Sequence, residues 1–265
     1  MTPVDRADRR AAVTRLLAGA GCVAPDDEAD ELLTAAPDDR SLDRMVARRM
    51  TGEPLAWITG HATFCGLDIT VDPGTYVPRW QSEALARRAA RLLPADGTGV
   101  DLCTGTGAVG LVMRSARPGA RVVGTESDPA AARCARRNGL VVLEGDLDEP
   151  LPGAWVGQVD VMTGVVPYVP EEALHLLPRD VLAFEPAGAL NGGKGGLEVV
   201  ARAVAAGHRW LRPGGWLLLE IGGDQSAGVR ALLTGSGFTG IGTITDPDGD
   251  PRGVVARLTR PSVGG

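Results

Sequence analysis

In the amino-terminal stretch apolar residues recur at helical spacing, as at Val13, Leu16 and Leu17, and the Arg and Asp residues between them mark a solvated face. The pattern predicts helices over 4–17, 27–34 and 41–50, divided by Gly19-Ala20-Gly21 and Pro37-Asp38-Asp39. From Gly60 to Val77 it changes: Phe64, Leu67, Ile69 and Val71 are mixed with Gly66 and Pro73-Gly74, as in a short hairpin or extended linker. A helix over 82–93 follows. Beyond it, short apolar runs at 99–102, 121–125, 140–143, 159–163, 215–221, 241–245 and 253–258 read as strands, with helices between them at 107–115, 129–138, 197–211 and 225–235. Such alternation predicts a layered α/β domain with a doubly wound, largely parallel sheet, its last two strands joined by a short connection as an antiparallel edge. The division expected is a helical domain over 1–58, a hairpin linker over 59–80 and the α/β domain over 81–265.

Composition narrows the function classes. A formal net charge of -6, with the acidic excess in the amino-terminal part, argues against an extended polyanion as main partner, because nucleic-acid affinity rests on clustered Lys and Arg. Aromatic residues are only 4%, so small aliphatic side chains must fill the core. Cys22, Cys65, Cys103 and Cys134 are scattered, as are His61, His175 and His208, and no pair has zinc-ligand spacing. Reduced, buried cysteines and no metal are expected. No run reaches about 18 apolar residues, and the start from Met1 to Arg6 lacks a basic stretch leading into an apolar one, which predicts a soluble, cytoplasmic protein without a membrane partner.

The richest chemistry lies at the predicted strand ends. Asp101-Leu102-Cys103-Thr104-Gly105-Thr106-Gly107 follows the first strand of the α/β domain and opens a helix, where glycines admit close backbone approach and the helix start offers N–H donors. Glu126 ends the next strand about 20 residues on, where a carboxylate can accept both hydroxyls of a ribose. Asp146, followed by Leu147, comes just after the third strand, where an acid can receive the amino group of an adenine. Taken singly, each is equally a tight turn or a solvent-facing acid; at successive strand ends they form a nucleoside-binding frame. A dinucleotide would require the fuller G-x-G-x-x-G and a second mononucleotide half, neither evident here, so S-adenosylmethionine is the favoured ligand.

These residues, with others, resemble the HemK/PrmC family, protein methyltransferases that modify a glutamine side-chain amide in peptide chain release factors, with a sister branch acting on a ribosomal protein. The resemblance spans most of the chain: Gly52-Glu53-Pro54-Leu55, Ile58-Thr59-Gly60, Phe64-Cys65-Gly66-Leu67, Val77-Pro78-Arg79 with Glu83, the 101–107 loop, Pro167-Tyr168-Val169-Pro170, Glu185-Pro186, Ala189-Leu190, Gly192-Gly193, Gly196-Leu197, Leu211, Pro213-Gly214-Gly215, Glu220-Ile221-Gly222 and Gln225. It implies a class I (Rossmann-like) methyltransferase domain with a seven-stranded sheet, preceded by a small helical domain that docks the protein substrate. It also implies S-adenosylmethionine as cofactor, with Asp101 and the loop through Thr104, Gly105, Thr106 and Gly107 at the methionine end, Glu126 at the ribose, and Asp146 with Leu147 at the adenine.

The acceptor motif departs from the family. Where the family has Asn-Pro-Pro-Tyr, this chain has Val165-Val166-Pro167-Tyr168. In the family the asparagine carboxamide pairs with the glutamine amide and the following backbone carbonyl takes a second N–H, which orients the nucleophile; that positioning is most of the catalytic contribution to methyl transfer. Valine cannot pair, and a buried unpaired amide would cost about 1–3 kcal/mol. Trp80-Gln81-Ser82 replaces Pro-Glu-Thr and Gly195 replaces an aspartate; Trp80 is expected either as an aromatic wall beside the cofactor or as ordinary packing, and Tyr168 as a surface on which the acceptor stacks. Three readings follow: methylation of a release factor-like protein through an altered pocket, methylation of a small molecule or another amine or amide, and a catalytically silent cofactor binder. A DNA amine methyltransferase is opposed by the acidic balance and the missing asparagine.

Overall fold

A computed structural model describes residues 3–177, 179–222 and 225–259; the expectation drawn from Met1 and Thr2 lies outside them. The chain opens with α1 (Pro3–Gly19), α2 (Pro25–Ala35) and α3 (Asp39–Met50), close to the predicted spans. Each start has a local cause: Pro25 presets the first turn of α2, and the Asp38 carboxylate accepts the Ser41 N–H at 2.7 Å at the start of α3. Val13, Leu17, Ala29, Leu32, Leu42 and Val46 form their shared core, with Ile58 at its edge. The pair Arg49–Glu28, at 2.6 Å and nearly enclosed, clamps α3 to α2.

A short helix not foreseen from the pattern, α4 (Leu55–Thr59), sits at the expected domain boundary and faces both ways. Ile58 joins the helical core, whereas Ala56 and Trp57 pack into the core of the α/β domain. The Trp57 indole N–H donates to the Thr75 carbonyl at 3.0 Å, and its ring meets Phe184 edge-on. The hairpin is β1 (His61–Phe64) and β2 (Leu67–Thr70), joined by Cys65-Gly66, both left-handed at φ 52° and 81° as a two-residue mirror-image turn requires. The Cys65 N–H donates to Glu83 at 2.7 Å, fixing the hairpin to α5 (Glu83–Leu92).

The main sheet is built from β3 (Thr98–Leu102), β4 (Arg121–Glu126), β5 (Val141–Glu144), β6 (Val159–Gly164), β7 (Leu211–Glu220), β8 (Phe238–Thr245) and β9 (Pro251–Leu258). Among the described residues its order is β5-β4-β3-β6-β7-β9-β8, parallel except where β9 runs antiparallel to β7 and β8. The central strand β3 is buried from Gly99 to Leu102, covered on both faces, with Asp101 as its one buried charge. Helices α6 (Ala108–Ala116), α7 (Pro129–Arg137), α9 (Glu198–Trp210) and α10 (Ser226–Gly235) cover the two faces. After β3 the chain moves outward through β4 and β5, then returns to β6 on the other side of β3. Direction therefore reverses between β3 and β6, where open sheets of this kind place ligands beyond their carboxyl ends.

Two details differ from the pattern-based expectation. β7 begins at Leu211 rather than 215, because α9 runs straight into it and the pairing shifts register between Val159 and Val161 to absorb Pro213-Gly214. Between β6 and α9 the chain forms short turns and α8 (Arg179–Phe184), a connection with no periodicity long enough to read. No helix among the described residues is long and apolar enough to cross a membrane, and no cluster of metal-ligating side chains occurs among them.

Candidate functional site

The carboxyl ends of β3, β4, β5 and β6 open into one cavity of about 340 Å³, closed from above by the hairpin and the loop after it. Asp101, Thr104, Gly105, Thr106, Glu126, Asp146 and Leu147 all line it, and so do Val165 and Pro167 of the altered motif. Gly107 does not; it sits behind the loop in a left-handed conformation, φ 88°, and lets α6 start there.

The loop is folded over the end of β4. Thr104 N–H donates to the Thr125 carbonyl at 3.0 Å and Gly105 N–H to Glu126 Oε2 at 2.8 Å. A Cβ on Gly124 would collide with the Thr104 side chain, so the crossing depends on that glycine. Asp101 is only 1% exposed. Its Oδ2 accepts Thr104 Oγ1 at 2.5 Å and Gly110 N–H at 3.1 Å, and its Oδ1 accepts Thr163 Oγ1 at 2.7 Å. Burial nevertheless pushes its pKa up to about 6, against the three donors that favour the charged form. A cation at the cavity wall would relieve that cost.

Glu126 is enclosed, with one oxygen taken up by Gly105 and the other accepting Asp128 N–H at 2.9 Å. Each oxygen keeps a further lone pair, and burial raises the pKa of this acid too, so hydroxyl donors on the cavity side would be favourable partners. Asp146 is half-exposed and pairs at 2.7 Å with Arg202 of α9. Leu147 beside it is buried and left-handed, φ 47°, which turns the chain across the cavity floor. A nucleoside with a cationic tail suits this donor and acceptor set. Arg202, Phe64, Thr75, Tyr76, Pro78 and Asn191 also line the cavity, and none was singled out as a ligand contact from sequence. Arg202 lies off the buried face of α9 and reaches the cavity as a half-exposed side chain paired with Asp146.

The four motif residues are divided. Val165 and Pro167 face the cavity. Val166 does not: it is 1% exposed, in the core against Gly164. Tyr168 turns its hydroxyl away, donating to Glu220 Oε1 at 3.0 Å at the end of β7, so it does not line the cavity. Burial raises the Glu220 pKa, with the Ser82 and Tyr168 hydroxyls opposing that rise. The Tyr168 carbonyl accepts Gln225 Nε2 at 2.7 Å, and Gln225 Oε1 accepts Gly222 N–H at 2.9 Å. Gly196 is left-handed, φ 69°, and a Cβ there would overlap both the Tyr168 carbonyl and Gln225 Nε2. The runs Glu220-Ile221-Gly222, Gln225 and Gly196-Leu197 thus brace the 165–168 loop from behind.

Trp80 corrects one expectation. It is no wall of the cavity: it is 54% exposed and lies along a separate surface groove with Arg87 and Arg91, the Arg252 guanidinium 5.6 Å from its ring centre. What does hold the linker over the cavity is Arg79, which pairs with the buried Glu185 carboxylate and stacks on Tyr76. Gly195 is left-handed, φ 63°, and stands outside the cavity lining.

No family model matches the chain. A release factor glutamine methyltransferase from Mycolicibacterium smegmatis is 38% identical over 274 residues, covering 94% of this chain and 96% of the relative. A 4-amino-L-phenylalanine/4-methylamino-L-phenylalanine methyltransferase from Streptomyces pristinaespiralis is 38% identical over 242 residues, covering 87% of this chain and 82% of the relative. Among solved structures, a methyltransferase from Pyrococcus furiosus superposes with a TM-score of 0.55 at 18% identity, covering 82% of this chain and 99% of the other.

Proposed function

Because the chain belongs to the release factor glutamine methyltransferase family, we propose that it transfers a methyl group from S-adenosylmethionine to the side-chain amide nitrogen of a glutamine in a release factor or similar protein. When bound, the cofactor supplies an electrophilic methyl group on a positively charged sulfur. Asp101 and the N–H groups opening α6 would hold its ammonium and carboxylate ends, with Thr104, Gly105 and Thr106 forming the wall between them. Glu126 would take the ribose hydroxyls, while Asp146 and Leu147 would hold the adenine. The 1–58 helices would dock the protein substrate.

The observation carrying this reading is the continuous cavity that runs from Glu126 and Asp146 to Val165 and Pro167, so that a nucleoside and an acceptor can share one space. The braced 165–168 loop holds an acceptor wall in fixed register; positioning of this kind is the main contribution a protein makes to such a transfer. The test is incubation with cofactor and a Gly-Gly-Gln-bearing release factor, followed by peptide mass spectrometry. One added methyl group on the glutamine is expected. Cofactor binding with no mass gain would refute the protein acceptor.

A second reading has its own observation. Val165 stands where the family carries its amide-pairing asparagine, and the cavity around it is lined by Phe64, Tyr76, Pro78 and Pro186. Such a wall suits an aromatic ring with an amino group, the acceptor named for the Streptomyces relative. Turnover of 4-amino-L-phenylalanine with none of the glutamine protein would favour this reading over the first.

A further inference from the structure

The valine at position 165 removes a carboxamide from the acceptor wall, and the fold brings another to the same cavity from a different segment. Asn191 lies between the matched pairs Ala189-Leu190 and Gly192-Gly193 and belongs to neither. Its backbone runs beside the acceptor loop: it bridges to Val169 in parallel fashion, Val169 N–H donates to the Leu190 carbonyl at 3.0 Å, and Gly192 N–H donates to the Val169 carbonyl at 2.8 Å. The approach is so close that a Cβ on Gly192 would lie 2.8 Å from both the Pro167 carbonyl oxygen and Tyr168 Cα. Asn191 lines the cavity together with Val165 and Pro167.

The orientation of its amide is fixed by hydrogen bonding. Gly193 N–H donates to Asn191 Oδ1 at 2.9 Å, so the oxygen is the anchored end and the NH2 group is the end left for a ligand. Among the described residues Nδ2 has no hydrogen-bond partner. A carboxamide acceptor has a carbonyl oxygen that must be satisfied once water is excluded, and a donor-only group is its complement. The ring amine of an aromatic acceptor has no carbonyl oxygen beside its reacting nitrogen.

We propose that Asn191 is a specificity-determining residue, its Nδ2 donating to the carbonyl oxygen of the acceptor carboxamide and so taking over from the carboxamide absent at position 165. The inference rests on the glutamine-acceptor reading given above.

Asn191→Asp isolates the donor, because the carboxylate still accepts Gly193 N–H and keeps the loop while nothing remains to donate. Steady-state methylation of a Gly-Gly-Gln peptide should fall about 10- to 100-fold in kcat/KM, the loss expected for one unpaired polar group. Calorimetric affinity for S-adenosylmethionine should stay within about twofold, and Val165→Asn added to Asn191→Asp should recover part of the lost kcat/KM. If the wild-type protein methylates the peptide and Asn191→Asp does so equally well, or if cofactor affinity falls in step with activity, the assignment of Asn191 is overturned while the function stands. If the wild-type protein neither methylates the peptide nor binds it in the presence of S-adenosylhomocysteine, the glutamine reading fails and the assignment falls with it.

Discussion

Replacing Asp101 by Asn should separate the cost of its buried charge from its value to the site. The carboxylate is nearly inaccessible and takes three hydrogen bonds, yet burial lifts its pKa from 3.8 to about 6. An acid whose pKa is raised on folding binds its proton more tightly in the native state, so its stabilising share is present at low pH and is lost as pH rises through about 6. Asn does not titrate. Its oxygen can serve Thr104 and Gly110 while its NH2 group faces Thr163, whose hydroxyl already has the Val100 carbonyl as an alternative acceptor at 3.4 Å. Between about pH 4.5 and pH 7.5 the unfolding free energy of wild type should therefore fall by about 2 kcal/mol relative to Asp101→Asn. Urea unfolding at constant ionic strength across that range measures it. In the same variant, S-adenosylmethionine affinity should drop about 10-fold or more through loss of the anionic partner. A stability difference that does not change with pH would refute the claim that burial governs this carboxyl.

Two further substitutions probe the frame around the cavity. Glu126→Gln turns an NH2 group toward either Gly105 or Asp128, both backbone donors, so cofactor affinity measured by calorimetry should weaken about 10- to 100-fold; an unchanged affinity would remove Glu126 from the ribose site. Tyr168→Phe deletes the donor to the enclosed Glu220 carboxylate and should cost about 1–3 kcal/mol of stability near pH 8. Because burial raises the Glu220 pKa, that cost should shrink on acidification as the carboxyl protonates; chemical unfolding showing an equal cost at every pH would mean that Tyr168 acts through packing alone.

Local pattern alone was enough to read the longer helices, the order of the strands along the chain and the glycine turn after β3. Helical spacing, apolar runs and a glycine turn are properties of neighbouring residues, and a carboxylate at a strand end is legible once the strand is. The strand-end acids at 101, 126 and 146 met in one cavity because a parallel sheet sends the tips of its strands to a common edge. Contacts across that edge were not readable. Trp80 could be read as a wall beside the cofactor or as packing, and Tyr168 as an acceptor contact, but Trp80 faces an outer groove and the Tyr168 hydroxyl turns to Glu220, 52 residues further along the chain. Asn191 had no motif to announce it, and it reached the cavity only because its segment bridges to Val169. Sequence spacing fixes which face of an element a residue occupies, whereas the sheet order and the irregular connection between β6 and α9 decide which faces meet.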